Sequence, residues 1–194
     1  MNKGQRTAGR ILDVAEAMFA RSGYDATSLR DIAEAAGIQQ PGLYKHFASK
    51  EELYRSVYAR TLQPLIAIME ELLAVSPEPP TFHALTDRLI DHMAERPNVA
   101  KLLVRAALLS EPERDAVATE WLQRLVGYGQ RINAHAGIES DPDLLALQIV
   151  SVFHLLFGYF ASASLTQALT GRPADDPRLL SLHKALVAGF VGSL

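Results

Sequence analysis

Apolar residues recur every three or four positions along nearly the whole chain. That is the period of an amphipathic helix, not the alternation of a half-buried strand. Ile11, Leu12, Val14, Ala15, Met18 and Phe19 form one such stripe and predict a helix over about residues 5–22, stopped by Gly23. Ser28, with Asp31 three positions on as its capping-box partner, opens a short helix that Gly37 breaks. A second short helix is predicted over about residues 40–47. Ser49-Lys-Glu-Glu52 forms another capping box and starts a long helix to about residue 75. Pro64 lies inside it, lacks an N–H, and predicts a kink or a split. After the loop Pro77-Glu-Pro-Pro80, helices are predicted over residues 81–96, 97–109, 112–136, 142–170 and 177–191. Asp141-Pro142 and Asp176-Pro177 each set a capping carboxylate before a proline in the first turn, and Ser110-Glu-Pro-Glu113 is a weaker version. With no β-branched alternation and no Asn-Gly or Asp-Gly hairpin signal, the fold class is all-α.

Composition adds bounds to this picture. The 194 residues are 48% hydrophobic, enough to fold without metals or disulfides as one large domain or two small ones. There is no Cys, which excludes disulfides and thiolate metal sites and suits a reducing cytosol. The first twenty residues carry Arg6, Arg10, Asp13 and Glu16 and do not read as a signal peptide. The most apolar run, residues 144–169, is long enough to span a bilayer. Its Gln148, His154, serines and Gln167 favour instead a helix buried at a subunit interface, so no membrane partner is expected. The net charge is −3, unevenly spread. Residues 1–50 hold seven basic and five acidic side chains, the remainder twelve and seventeen. A positive end on an acidic body suits docking on DNA end-on.

The most informative stretch runs from Ser28 to Lys50. Two short helices joined at a glycine cannot bury enough surface alone. Leu29, Ile32, Ala33 and Ala36 on the first, with Ile38, Leu43 and Phe47 on the second, supply a core shared with the opening helix. Small Ala33 and Gly37 permit the close crossing of a helix-turn-helix, whose second helix can enter a major groove. The outward residues of that helix are Gln39, Gln40, Gly42, Tyr44, Lys45 and His46. A glutamine amide pairs with base edges, adenine above all. Gly42 lets the backbone approach a groove wall closely. The Tyr44 hydroxyl, Lys45 and His46 can reach phosphate oxygens. Lys50 and Arg30 each sit in the first turn of a helix, where a cation is unfavourable unless an anion such as phosphate is near. An N-terminal arm with Lys3 and Arg6 can reach the backbone or the minor groove.

The segment from Arg10 to Tyr54 resembles the DNA-binding domain of the TetR/AcrR family of one-component transcriptional regulators. The resemblance is carried by Arg10-Ile-Leu, Ala15, Phe19, Gly23-Tyr24, Thr27-Ser28, Asp31-Ile32-Ala33, Ala36-Gly37-Ile38, Leu43-Tyr44, His46-Phe47, Ser49-Lys50-Glu51 and Leu53. It implies a homodimer that sets one recognition helix from each subunit into successive major grooves of a near-palindromic double-stranded operator. It implies phosphate contacts from Ser28, Tyr44, His46 and Lys50 and base contacts from Gln39, Gln40, Gly42 and Lys45. One departure stands out. The family often has Val-Ser-x-Gly before the Leu-Tyr pair, whereas this chain has Ile38-Gln39-Gln40-Pro41. Glutamine caps a helix poorly, and Pro41 partly compensates by fixing φ.

The division expected is a DNA-binding domain over residues 1–48 and an effector-binding and dimerisation domain over residues 49–194. Leu144, Leu147, Val150, Leu155, Phe157 and Ala161, with Leu179, Leu182, Leu186, Val187 and Phe190, give two helices more apolar surface than one subunit covers. By resemblance the body holds a pocket for a small, mainly apolar effector. Its candidate lining is His92, Arg105, Trp121, Tyr128, His154 and Tyr159, each of which also reads as a core or interface residue. His83, His92 and His154 lack metal-ligand spacing, and no metal or cofactor is expected. No nucleophile–base pair or Gly-rich phosphate loop points to an enzyme. The expected function is a cytoplasmic repressor released from DNA by its effector. The alternatives are an activator or effector-independent regulator on the same fold, or a helical adaptor.

Overall fold

The computed structural model describes residues 2–75, 82–108, 123–131, 133–134, 137 and 141–192. Among these residues every regular element is a helix, so the all-α expectation holds. In chain order the helices are α1 (Lys3–Ser22), α2 (Leu29–Ala35), α3 (Gln40–Tyr44), α4 (Lys50–Val75), α5 (Phe82–Glu95) and α6 (Pro97–Leu108). Residues 123–131 form α7, followed by α8 (Pro142–Ala161), α9 (Ala163–Thr170) and α10 (Pro177–Val191). The chain divides into two compact units, Met1–Leu62 and Gln63–Leu194.

The first unit is built on α1. Ile11, Ala15 and Phe19 are fully buried, and Ile32, Ala33, Leu43 and Phe47 close over them. Leu53, Tyr54, Val57 and Tyr58 of α4 are also buried. They complete this core, which is why the division falls at 62/63 and not at the expected 48/49. Glu16 is buried on the apolar stripe of α1. Arg60 of α4 explains it: Nη2 donates to Glu16 Oε2 at 2.9 Å and Nη1 to Asp13 Oδ1 at 2.7 Å.

Local signals account for most helix ends. Asn2 and Gln5 form a reciprocal capping box, so α1 begins at Lys3. The expected arm is therefore helical, with Lys3 and Arg6 exposed on the first turns of α1. Ser28 Oγ accepts from Asp31 N at 3.1 Å, but the return bond of a capping box is not formed. Ser49 Oγ accepts from Glu52 N at 3.0 Å, while the Glu52 carboxylate reaches past Ser49 to accept from Ala48 N at 2.7 Å. Asp141 and Asp176 cap α8 and α10 ahead of their prolines, as expected. α4 is helical straight through Pro64, so no split occurs there.

In the second unit α8 packs on α6 and α10 on α5. Leu89, Ile90, Met93, Leu102, Leu103, Phe153, Leu156, Phe157, Phe160 and Val187 form the core. Lys184 of α10 pairs with Asp91 of α5 at 2.6 Å. The single helix expected over 142–170 is in fact two. Ser162 Oγ donates to the Gly158 carbonyl at 2.6 Å, and Ser162 leaves helical geometry at φ −100, ψ 29. The same kind of bond from Ser151 Oγ to the Leu147 carbonyl at 2.8 Å leaves α8 unbroken, so the hydroxyl accompanies the break and is not by itself its cause. The expectation over 112–136 and the candidate Trp121 lie largely or wholly outside the described residues. Among the described residues α8 alone is long and apolar enough to cross a membrane by length and composition, and its inward residues belong to this core.

Candidate nucleic-acid interface

The turn between α2 and α3 sets the site. Gly37 stands at φ +65, its N–H donates to Glu34 O at 2.9 Å, and Ile38 N–H donates to Ala33 O at 2.9 Å. This pair of reversed bonds is a Schellman closure, and it needs a residue comfortable in the left-handed region. The chain emerges extended at Gln39 (φ −80, ψ 151), which is the N-cap of α3. As the sequence implied, the Gln39 side chain makes no cap hydrogen bond, and Pro41 lies in the first turn. Leu43 and Phe47 turn inward and are buried, while Gln39, Gln40 and Lys45 are exposed and Gly42 and His46 half-exposed. Tyr44 is 48% exposed although it is a large aromatic. The helix thus presents amides, a phenol, a lysine and an imidazole on one side and its apolar residues on the other.

Gly42 is the most telling of these. Its φ is not positive, and a Cβ placed there would meet nothing nearer than Ile38 Cβ at 4.0 Å. Neither backbone conformation nor packing inside the unit requires glycine at this position. A short outward side chain is therefore a feature of the surface, where it allows a close approach from outside.

The flanking residues are held in place. Ser28 is exposed, and its hydroxyl accepts from the α2 backbone, so its own proton points elsewhere. Arg30 is exposed. Lys50 is folded back: Nζ donates to Asp25 O at 3.4 Å and lies 4.2 Å from the centre of the Tyr24 ring. The sequence reading placed Lys50 at the helix end but missed Tyr24 as its partner. The unfavourable helix terminus was readable at Lys50, but nothing in the sequence joins it to Tyr24, which the turn brings near.

The effector candidates are dispersed. His92 on α5 has Nε2 buried without a hydrogen-bond partner, and burial lowers its pKa with help from Arg96. Arg105 is half-buried on α6. Tyr128 donates to Glu70 Oε1 at 3.4 Å, and burial together with Glu70 raises its pKa. It lines an open concavity of about 300 Å³ with Arg124, Gly127 and Arg131. His154 is exposed, with Nδ1 2.8 Å from the Val150 carbonyl, and so faces outward. Tyr159 is committed to structure: it donates to Ala174 O at 2.9 Å and stacks on His183 with centroids 4.1 Å apart. Among the described residues no cluster of His, Asp and Glu has the arrangement to hold a metal ion.

The apolar faces are more coherent. On α8, Leu144, Leu147 (64% exposed) and Val150 face outward, and on α10 Leu182, Leu186 (68% exposed) and Phe190 do the same. Phe157 and Val187, expected on this face, are buried in the unit's own core instead. The helical period identifies apolar faces but not which of two partners each face meets.

A short helix fixed across a glycine turn on a three-helix core, with its polar side outward, defines a helix-turn-helix protein of the DNA-binding class. Residues 11–57 match the family model for bacterial regulatory proteins of the tetR family. The chain is 42% identical over 71 residues to the HTH-type transcriptional repressor KstR2 of Mycobacterium tuberculosis, covering 37% of this chain and 36% of that protein. It is 30% identical over 116 residues to the HTH-type transcriptional activator FasR of Mycolicibacterium smegmatis, covering 58% and 53%. Its fold is that of a TetR-family transcriptional regulator from Bordetella parapertussis (TM-score 0.74, 24% identity, 94% and 93% of the two chains). The matches thus span about a third to a half of the length of these curated relatives. Residues 11–57 are thus similar to the DNA-binding part of tetR-family bacterial regulatory proteins, and the chain as a whole shares the fold of a TetR-family transcriptional regulator.

Proposed function

We propose that this chain is a homodimeric repressor that binds a near-palindromic operator through α3 and releases it when a small, mainly apolar effector occupies the second unit. The observation that carries the DNA reading is the outward face of α3, where Gly42 and the uncapped Gln39 serve no need of the fold. Gln39, Gln40, Gly42 and Lys45 read base edges in this account, and Ser28, Arg30, Tyr44, His46 and Lys50 hold phosphates. The exposed apolar faces of α8 and α10 meet their symmetry mates, because a two-fold axis lets one patch cover itself. The dimer then spans half-sites about 34–36 Å apart. An effector acts by binding one population of α4 conformers better than another, with Pro64, which has no N–H to donate within the helix, as the hinge. The residues around the effector include His92, Arg105 and Tyr128, with Trp121 from the sequence reading. Residues 1–62 serve the operator and residues 63–194 the effector and the dimer. No catalytic role is assigned, and the site of action is the cytoplasm, where the DNA is.

The longer match to the activator FasR favours one rival: the same DNA-bound dimer that raises transcription. Deleting the gene and following a reporter fused to its own upstream region separates the two. Derepression supports the proposal, and a fall in expression supports the rival.

A further inference from the structure

We infer that Arg60 is a positioning residue for operator recognition, whose guanidinium fork sets the register of α1 on α4 and, through α1, the placement of α3. The inference deepens the DNA reading above and rests on it. Its basis is where the fork lands. Nη1 donates to Asp13 Oδ1 at 2.7 Å and lies 3.5 Å from the Gly9 carbonyl, while Nη2 donates to Glu16 Oε2 at 2.9 Å. One side chain of α4 thus grips two successive turns of α1. Asp13 is exposed and Glu16 buried, so the fork spans from the surface to the edge of the core. A second attachment lies further down the pair, where Phe19 meets Tyr54 edge-on at 5.1 Å. Going from Tyr54 to Arg60 along α4 leads back from Phe19 to Glu16 along α1, so the two helices run antiparallel between these points.

Stability alone does not call for charged groups here. Glu16 stands on the apolar stripe of α1, and Arg60 Nε is buried with no hydrogen-bond partner. Taking such charges out of water costs about as much as their pairing returns, and apolar replacements of both partners often leave stability unchanged or raised. What the pair adds is geometry. The apolar burial of Ile11, Ala15, Leu53 and Val57 is non-directional and tolerates a small slide or rotation of one helix on the other. A planar fork with donors at fixed angles does not. That geometry reaches the recognition helix, because α2 packs on α1 and α3 on α2. α4 is also the one described helix with residues in both units. In the proposed dimer, the register of α1 on α4 therefore sets the separation of the two recognition helices, and fixing it before DNA arrives removes part of the ordering cost of binding.

The test uses the full chain and a DNA duplex enriched by the wild-type protein from a randomised pool. Wild type, Arg60→Lys, and Arg60→Met combined with Glu16→Gln are compared at a temperature where thermal melts show all three folded. The combined variant leaves no charge buried at residue 16, so it separates positioning from stability. Affinity is measured across a salt series, on the enriched duplex and on one with a single base pair inserted between its half-sites. The combined variant should bind the enriched duplex about tenfold more weakly, from the ordering cost restored in two subunits. Its slope of log affinity against log salt should equal that of wild type, because Arg60 touches no phosphate. Its preference for the enriched spacing over the inserted one should shrink. Arg60→Lys, which keeps the charge but not the fork, should melt nearer to wild type and still bind more weakly. Wild-type affinity and spacing preference in the combined variant overturn the inference and leave Arg60 to the fold alone. So does a lowered salt slope, which would make Arg60 a phosphate contact, or full binding by Arg60→Lys, which would make its charge sufficient. If the wild type enriches no duplex, the DNA reading itself fails and takes this inference with it.

Discussion

Single residues in this chain divide into those that serve the fold and those the fold leaves over. Arg60 belongs to the first group. It neutralises Glu16, which is only 6% exposed, from across the first unit. Arg60→Leu leaves that carboxylate buried without its charge partner and should cost about 2–4 kcal/mol in urea unfolding. Glu16→Gln should cost less, since a neutral amide tolerates the site. Equal losses would contradict this account of the pair. His183 is also a residue of the fold. It is buried beneath Tyr159, and burial lowers its pKa to about 4. Because the folded value lies below the ordinary 6.5, the unfolded chain takes up the proton first. Stability from this site is therefore whole above about pH 6.5 and falls as the pH drops toward 4, by up to about 3 kcal/mol. His92, lowered for the same reason, adds in the same direction. His183→Phe should flatten the change in melting temperature between pH 7.5 and 5; an unchanged slope would place the effect elsewhere. Gly42 belongs to the second group. Gly42→Ala should stabilise the fold by about 0.5–1 kcal/mol, because alanine is the better helix former and has room there. The same change should weaken operator binding. A variant more stable and equally tight would remove the argument that this glycine faces DNA.

Among the elements, those with local signals were legible and those that depend on distant partners were not. Asp141, Asp176, Ser28 and Ser49 cap their helices as the sequence implied, because a cap is made by residues two or three apart. Gly23 and Gly37 end α1 and α2 at positive φ for the same local reason. The break at Ser162 was not legible. Apolar spacing continues past it, and no proline or glycine stands at 161–164 to mark it. The reach of the first unit into α4 was equally hidden, since the burial of Leu53, Tyr54, Val57 and Tyr58 is decided by α1, more than thirty positions away. Within the candidate interface, the residue types of α3 were readable from the period, because one helix face determines them. The fastening of Lys50 by Tyr24 was not, because it joins two elements through a turn. α8 shows the same limit. It is apolar nearly all round, and the sequence could not divide Phe157, which its own unit buries, from Leu147, which it leaves outside.

The molecule as a whole carries a polar recognition face on one unit and uncovered apolar faces on the other. Those faces are tested by Leu147→Glu with Leu186→Glu, both at exposed positions that contribute little to the core. Sedimentation at micromolar concentration should show wild-type dimers and variant monomers, with the variant's melting temperature kept within a few degrees. The variant should then bind an enriched operator at least about a hundredfold more weakly, since two half-sites are no longer engaged together. A variant that remains dimeric would move the interface away from α8 and α10. The most direct test of the account remains a footprint of the wild-type chain on that duplex, compared with Gln40→Ala and Tyr44→Phe. The account predicts two protected half-sites about one helical turn apart, with protection and sequence preference diminished in both variants. Protection of a single site, or equal protection by all three proteins, would contradict it.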